Sequence, residues 1–325
     1  MKKFLLVLFL ILSASIAAQT QQYSEIAGRS GSFSRMGFGA RGMGMGNAMS
    51  AITDGELVSY YNPALSSFQN GKSFQTSYSF LSLDRSLNFI NFTTSFGGDD
   101  NRKGVPGISL GIINSGVSGI DGRTSSGVHT EDLSTSENQF FIGLSNKFSN
   151  KLALGIAFKF YYYSLYDEVS ASSLGFDIGA LYFINKHITL SLMFSDLNSK
   201  YEWDTSDLYG SSGNSTTSKF PLLKKIGVSY KFDDPKIIAA IELESSNAGT
   251  DYLRFGAEYN IYEGLFLRGG MDQFNLSNTD EPVKPAAGFS YFYPMRIGVV
   301  GVNYAFVIEP YSSHDQHIVG VNINF

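Results

Sequence analysis

The residues whose spacing most strongly suggests chemistry belong to a glycine-rich run. Gly37, Gly39 and Gly42 have the spacing G-x-G-x-x-G, and Gly44 and Gly46 continue the run. This spacing can hold a dinucleotide pyrophosphate at a helix N-terminus, provided that a hydrophobic strand precedes the glycines and a crossover helix follows them. The preceding residues contain no β-branched run, and the following residues allow only a short helical piece. We therefore predict no nucleotide site, and the glycines require another explanation.

Three further groups could support chemistry, but each has a simpler explanation. His314 and His317, with Asp315, could bind a metal ion, although a loop running into the last strand would leave them at an exposed rim. Glu242 and Glu244 share one face, as acid and base pairs can, but inward-pointing polar residues are also typical of a barrel. The chain has no G-x-S-x-G motif and no cysteine. We predict no catalytic residue, no metal site and no cofactor.

The first 18 residues have the pattern of a secretory signal peptide. Lys2 and Lys3 precede a nine-residue apolar run, too short to cross a hydrocarbon layer of roughly 30 Å as a helix, and small residues follow up to Ala17 and Ala18. Without the two lysines, 22 basic residues face 29 acidic ones, a net charge of −7. This charge argues against a nucleic-acid partner.

The rest of the chain alternates between apolar and small or polar residues with a period of two. The clearest case is residues 152–162, where Leu, Ile, Phe and Tyr occupy one face and Ala, Gly and Lys mostly occupy the other. Charged residues make up only 16% of the chain and aromatic residues 14%, so much of the outer surface is predicted not to face water. Fourteen such segments occur, near 72–82, 87–97, 105–114, 138–148, 151–163, 174–184, 187–196, 223–232, 236–245, 251–260, 264–272, 284–292, 295–308 and 315–325.

Most connections between these segments alternate between tight turns and longer loops, notably 115–137 and 197–221. Short turns on one rim and long loops on the other are typical of bacterial outer-membrane barrels, which have an even number of strands. The sequence therefore predicts an all-β fold, a 14-stranded antiparallel transmembrane β-barrel in the outer membrane. The chain ends in Phe325 on the apolar face of the last segment, which we interpret as the assembly signal for the barrel-insertion machinery.

Residues 19–71 lack the alternation of the barrel, residues 72–325. An irregular backbone in lipid would leave N–H and C=O groups without partners, so we expect this segment inside the barrel as a hatch or plug. Its glycines, including Gly42, Gly44 and Gly46, would let the chain turn tightly and approach the lumen wall closely.

One motif in this segment resembles a known family. The run R-x-M-G-M-G-x-A, followed by an acidic residue and then by an aromatic residue with N-P-A, is similar to the N-terminal signature of the PorV/PorQ family within the FadL superfamily. The matching positions are Arg41, Met43, Gly44, Met45, Gly46, Ala48, Asp54, Tyr61, Asn62, Pro63 and Ala64. Residues 170–182 also resemble the family, with Asp177 facing the lumen.

The resemblance implies a non-enzymatic barrel that assists type IX protein secretion or the surface attachment of cargo. The superfamily implies an alternative, passive uptake of hydrophobic small molecules past the hatch. Uptake would need an apolar pocket between hatch and wall. Five hatch residues could line such a pocket or could be the hatch's own packing, namely Met43, Met45, Met49, Ile52 and Leu57. The expected partners are outer-membrane lipid, the barrel assembly machinery, and secreted cargo or other secretion proteins. The strand register places five polar residues in the lumen, Lys159, Asp177, Arg254, Glu258 and Arg268.

The long loop 197–221 suggests a surface for a protein partner. Tyr201, Trp203 and Tyr209 lie there among Asp, Ser and Gly residues, a composition that suits protein recognition. The alternative is that such loops are an ordinary property of these barrels.

Overall fold

The computed structural model describes residues 25–97, 104–166 and 169–325, so the predicted signal peptide lies outside the described residues. Fourteen strands form one closed barrel in which hydrogen-bonded neighbours are antiparallel. This confirms the predicted fold class. The barrel strands are β1 (Lys72–Phe80), β2 (Arg85–Ser95), β3 (Val105–Arg123), β4 (His129–Lys147), β5 (Leu152–Tyr166), β6 (Val169–Phe183), β7 (Ile188–Leu197), β10 (Leu223–Lys231), β11 (Ile237–Ser246), β12 (Thr250–Tyr262), β13 (Leu265–Asn275), β14 (Lys284–Met295), β15 (Gly298–Val307) and β16 (Gln316–Asn324).

The last strand pairs with the first and closes the barrel. Ser73 lies opposite Asn324 and Phe80 opposite His317, so β1 and β16 are paired along their whole length. Beyond β16, the Phe325 N–H donates to the Lys72 carbonyl oxygen at 2.9 Å. Closure leaves neither terminal strand with a free edge, which is the condition for placing a sheet in lipid.

The alternation of residues along each strand gives the barrel an inner face and an outer face of different composition. On β5, Ala153, Ala157 and Tyr161 face the lumen and are buried, whereas Leu154 and Phe158 point outward and are 42% and 53% exposed. Because the outward side chains are large and apolar on nearly every strand, the outer surface is an apolar band. Among the described residues, no helix is both long and apolar enough to cross a membrane.

The two rims of the barrel differ. One rim, which we call the turn rim, carries the short connections 148–151, 184–187, 232–236, 263–264 and 296–297. The opposite rim, which we call the loop rim, carries longer connections such as 198–222, 276–283 and 308–315, together with short ones such as 81–84 and 247–249, while 96–104 is a longer connection on the turn rim.

The prediction that residues 115–137 form a loop is wrong, because most of these residues belong to strands. β3 and β4 continue past the neighbouring strands as a hairpin, with Val117 opposite Thr135 and Arg123 opposite His129. This extension is rich in Ser, Thr and Gly and has no apolar alternation, because neither of its faces is covered. A prediction based on hydrophobic period therefore ends where the covered part of the strand ends.

The predicted loop 197–221 also contains regular structure. It forms a separate two-stranded sheet, β8 (Lys200–Asp204) and β9 (Ser215–Lys219), joined by the short helix α2 (Ser206–Tyr209) and a 3₁₀ turn. β8 packs against β6 at the loop rim. This sheet, which we call the lid, covers part of the lumen.

The N-terminal segment, residues 25–71, lies in the lumen. It contains 3₁₀ helices at Glu25–Gly28, Phe33–Arg35 and Pro63–Phe68, and one short α-helix, α1 (Gly39–Gly44). Ile26 packs with Leu223 and Ala248 near the loop rim, and the segment reaches β1 at the turn rim. Its apolar side chains form the main core together with inward residues of the wall.

Candidate functional site

The glycine run brings the backbone of the N-terminal segment against the backbone of the wall. Gly46 has φ +58, and a Cβ atom there would lie 2.5 Å from the Met271 nitrogen and 2.7 Å from the Phe255 carbonyl oxygen. The facing wall positions are glycines too, since a Cβ on Gly256 or Gly270 would collide with the backbone of Met45 or Gly46. The glycines therefore serve a close backbone approach, as predicted for Gly46.

Gly42 and Gly44 have a different role from Gly46. Both lie inside α1 and neither has a positive φ, so the prediction that they turn the chain tightly is wrong. A Cβ on Gly42 would overlap the Tyr61 hydroxyl, whereas a Cβ on Gly44 would lie 3.0 Å from Arg268 Cδ. Gly42 makes room for Tyr61, and Gly44 is the less constrained of the two.

Arg41 bonds the segment to the wall and also links two parts of the segment to each other. Its Nε and Nη2 donate to the two carboxylate oxygens of Glu258 on β12, at 3.0 and 2.8 Å. Its Nη1 donates to the carbonyl oxygens of Asp54 and Glu56, at 2.7 and 3.2 Å. Arg268 on β13 approaches the same Glu258 carboxylate at 3.2 Å. Two guanidinium groups thus share one buried carboxylate. This sharing fixes the position of α1 along the barrel axis.

Asp54 uses both its backbone and its side chain. Its carbonyl accepts from Arg41, and its carboxylate forms an ion pair with Lys231 of β10 near the turn rim. The acidic position of the motif therefore anchors the part of the segment that precedes Leu57.

The Asn62-Pro63-Ala64 stretch begins the last 3₁₀ helix of the segment. The Asn62 side-chain oxygen accepts from the Ala64 N–H at 3.0 Å, and Pro63 occupies the first helical position, where its missing N–H costs nothing. The Asn62 amide also donates to the Ala180 carbonyl of β6 at 3.2 Å. A Cβ on wall residue Gly155 would lie 2.5 Å from the Ala64 nitrogen, so the wall again has a glycine where the segment touches it.

The five predicted lumen-facing residues are brought into separate clusters. Glu258 and Arg268 belong to the Arg41 cluster. Arg254 binds Glu242, Glu244 and Asp272 through distances of 2.6 to 3.2 Å. Lys159 lies 2.8 Å from Asp177 and 3.1 Å from Asp196, within the wall. The period of two therefore placed all five side chains inward, but it gave no indication of these groupings.

Asn47 is a residue that sequence analysis missed. It has φ +59, and its amide donates to Asp272 Oδ2 at 2.8 Å, while its side-chain oxygen accepts from the Tyr61 hydroxyl at 2.8 Å. It links the motif tyrosine to the Arg254 cluster. The available signal was an Asn directly after Gly46, because Asn tolerates the left-handed conformation better than other side chains.

A cavity lined by described residues opens at the loop rim. It has a volume of about 780 Å³, and we call it the vestibule. Its lining contains the apolar residues Ile26, Met36, Met43, Leu81 and Val307 and the charged residues Arg35, Arg85, Arg254, Lys284, Glu244, Asp272, Asp280, Glu281 and Glu309. The vestibule thus mixes apolar and charged groups, and the segment itself contributes Met36 and Met43 to it.

The pocket that uptake would require between the segment and the wall is almost absent among the described residues. The five candidate lining side chains are all buried in the segment's own packing, namely Met43, Met45, Met49, Ile52 and Leu57. The space left beside them is a cavity of about 20 Å³. These side chains therefore stabilise the closed segment.

The lid turns its aromatic residues inward. Tyr201 is 1% exposed and packs against Phe220, with ring centroids 5.0 Å apart, and Phe220 packs against Tyr161 of β5 at 4.7 Å. The expectation that Tyr201 and Trp203 form an exposed protein-binding surface is wrong for Tyr201, because these apolar rings cover the lumen. Burial raises the pKa of Tyr201 above its ordinary value. Only Tyr209 remains largely exposed.

The two neighbouring histidines have different partners. His317 Nδ1 lies 2.7 Å from the Tyr304 hydroxyl on the outer face, whereas His314 Nδ1 lies 3.0 Å from Ser313 Oγ in the loop. Among residues 25–97, 104–166 and 169–325, no group of three or more His, Cys, Asp or Glu side chains is arranged to hold a metal ion.

Comparison with known proteins shows similarity at the level of structure. No protein-family model matches the chain, and no curated protein sequence matches it. The CymD monoaromatic hydrocarbon channel is 14% identical, with a TM-score of 0.62 over 89% of this chain and 98% of that one. The Pseudomonas putida toluene transporter TodX is 15% identical, with a TM-score of 0.58 over 88% and 96%. A Pseudomonas aeruginosa FadL homologue is 11% identical, with a TM-score of 0.60 over 89% and 98%.

These matches extend over nearly the whole of the solved chains. At such low identity they establish the fold, which is that of the FadL-like outer-membrane β-barrels. The similar structures are transport channels rather than enzymes.

Proposed function

We propose that the protein is a passive outer-membrane channel for small hydrophobic molecules, closed by the N-terminal segment acting as a hatch. The observation that carries the proposal is the vestibule, whose lining includes Met36 and Met43 of the segment itself. A solute that enters from the loop rim, which we take as extracellular, therefore reaches the closing segment directly. The shared fold with hydrocarbon channels supports the same class of solute.

Uptake through this barrel requires the segment to move. Below the vestibule, the described residues of the segment and the wall enclose a cavity of about 20 Å³, far too small for a hydrocarbon. The segment extends from near the loop rim to β1 at the turn rim, so the whole of it, including Ser50, can shift while its turn-rim end stays covalently attached.

A disulfide lock tests this proposal. Ser50 Oγ of the segment and Ser191 Oγ of β7 are 2.7 Å apart, and the chain has no cysteine of its own. We expect the double variant Ser50→Cys/Ser191→Cys to take up a labelled monoaromatic hydrocarbon when reduced and to lose uptake when oxidised. The two single variants under the same oxidation are the matched controls. Uptake that is unchanged by the oxidised lock would contradict a moving hatch.

A second candidate function is the accessory role in type IX secretion that the PorV/PorQ resemblance implies. The contacts of the motif residues favour this role. Arg41 and Asn62 bond the closed segment to the wall, as a structural role requires, instead of lining a passage. The β3–β4 hairpin, which rises beyond its neighbours, offers an exposed polar surface for cargo.

The hairpin allows a cleaner test of this role than the lid, whose removal would disturb the packing around Phe220. Replacing residues 118–134 by a short Gly-Ser turn should leave the barrel folded and abolish co-purification of secretion partners. Under the channel proposal, the same variant keeps its hydrocarbon uptake, and the oxidised lock leaves any partner binding intact.

A further inference from the structure

The N-terminal segment forms hydrogen bonds with most strands of the barrel wall. It forms hardly any with the strands where the barrel closes, β1 and β14 to β16. Strands β3, β4, β6, β7 and β10 to β13 each form a hydrogen bond with the segment through at least one side chain. Over the described parts of the chain, β1, β14 and β15 form none, and β16 contributes one contact of 3.4 Å from Asn324 Nδ2 to Glu56 Oε1. We call these four strands the closure wall.

Packing between α1 and the closure wall is loose at Gly39. α1 packs against all four strands, and a Cβ on Gly44 would lie 3.4 Å from Ala305 Cβ of β15, but a Cβ on Gly39 would meet only Ser77 Oγ, at 3.7 Å. This contrasts with Gly46, which fits against the wall backbone without room for a methyl group. The cavity of about 20 Å³ lies here, lined in part by Gln75, Asn303 and Asn322, and a polar cavity of this size can hold a water molecule.

Buried polar atoms without a protein partner occur on the closure wall, as they do elsewhere, for example at both amide atoms of Gln139 on β4. In the described part of the chain, five such atoms belong to β1 and β16, namely Ser73 Oγ, Gln75 Nε2, Ser79 Oγ, Gln316 Oε1 and Asn324 Oδ1. Strand register spreads them along the barrel axis, from Ser73 opposite Asn324 near the turn rim to Gln316, which lines the vestibule. Buried polar groups without protein partners require water or a polar solute.

We propose that α1 and the closure wall enclose a hydrated path from the vestibule to the turn rim, which passes water while the segment stays seated. The path is lined by hydroxyl and amide groups, which can replace the hydrogen bonds of water, and Arg41 and Glu56 also line its cavity. A cavity of about 20 Å³ can hold a water molecule but not a solute as large as glycerol. This activity is independent of hydrocarbon uptake.

Cysteine reactivity tests whether the path is hydrated. Ser77 of β1 faces α1 on the path, whereas Ser109 of β3 is buried and bonded to Asn91 and Thr93. Because the chain lacks cysteine, single variants report one site each. We expect Ser77→Cys in the folded barrel to react with methyl methanethiosulfonate at least tenfold faster than Ser109→Cys. Equal protection of the two cysteines would overturn the proposal.

Water flux tests the transport itself. We expect proteoliposomes to shrink in hyperosmotic sucrose faster than liposomes without the barrel, and Ser77→Leu to lower this rate of water exit several-fold. Val319→Leu, on the outer face of β16, should leave the rate unchanged. The oxidised Ser50–Ser191 lock should abolish hydrocarbon uptake but preserve water flux. Loss of water flux in the locked barrel would refute a path that works with the segment seated. Water flux in a barrel that takes up no hydrocarbon even when the lock is reduced would refute the proposed function alone.

Discussion

Arg41 provides the sharpest test of how the N-terminal segment is held. Arg41→Gln removes a bidentate pair with Glu258 and two hydrogen bonds to the carbonyls of Asp54 and Glu56, and leaves a buried carboxylate with Arg268 as its remaining partner. Breaking a buried pair by removing one partner costs about 3–5 kcal/mol. Since about 1.4 kcal/mol corresponds to a factor of ten, the population of unseated segment should rise about 100- to 4,000-fold.

The assay is thiol labelling of a cysteine at Ala48, which is 1% exposed beside the wall. In the Ala48→Cys background, labelling requires the segment to leave its seat, so its rate should rise by the same factor in Arg41→Gln. Lys159→Gln is the matched control, because Lys159 forms its ion pairs with Asp177 and Asp196 inside the wall. This control should weaken the barrel without changing the labelling rate. Equal labelling of the Arg41 and Lys159 variants would refute the reasoning.

Two further predictions concern packing, and a third concerns the assembly signal at Phe325. Gly46→Ala should destabilise the seated segment by about 2–5 kcal/mol, because of left-handed strain and contact with the wall backbone. Gly44→Ala should change the stability of the seated segment by less than about 1 kcal/mol. The Ala48→Cys labelling rate measures both changes. Phe220→Ala should cost the lid about 3–5 kcal/mol of packing and expose it to limited proteolysis, whereas Tyr201→Phe should be nearly neutral because no described residue bonds the hydroxyl. Deleting Phe325 should reduce the fraction of barrel that inserts, measured by heat-modifiable migration.

The barrel could be predicted from the sequence because each strand meets two different environments. Large apolar residues on one face and small or polar residues on the other give a period of two, and the same period placed Lys159, Arg254 and Glu258 in the lumen. The pairing of Arg41 with Glu258 could not be predicted in this way, because the two are 217 positions apart and their contact depends on how the segment is threaded through the closed barrel. The extended β3–β4 hairpin was missed because polar strands carry no hydrophobic period.

Glycines inside the wall strands are a sequence signal that could have located the segment. Glycine is unfavourable inside a strand, and there it often marks the close approach of another backbone or a bulge. Seven wall positions where an added Cβ would collide with the segment are Gly107, Gly143, Gly155, Gly179, Gly227, Gly256 and Gly270. They occupy β3 to β6 and β10, β12 and β13, which accounts for most of the bonded wall.

The glycines of the closure wall behave differently. A Cβ on Gly288, Gly301 or Gly320 would meet side chains or backbone of the wall itself rather than of the segment. Among the described residues, the wall glycines that lie against the segment are therefore all outside the closure wall, and the closure wall bonds the segment only through Asn324. Hydrogen bonding and the placement of glycine thus indicate the same weakly bonded side of the lumen.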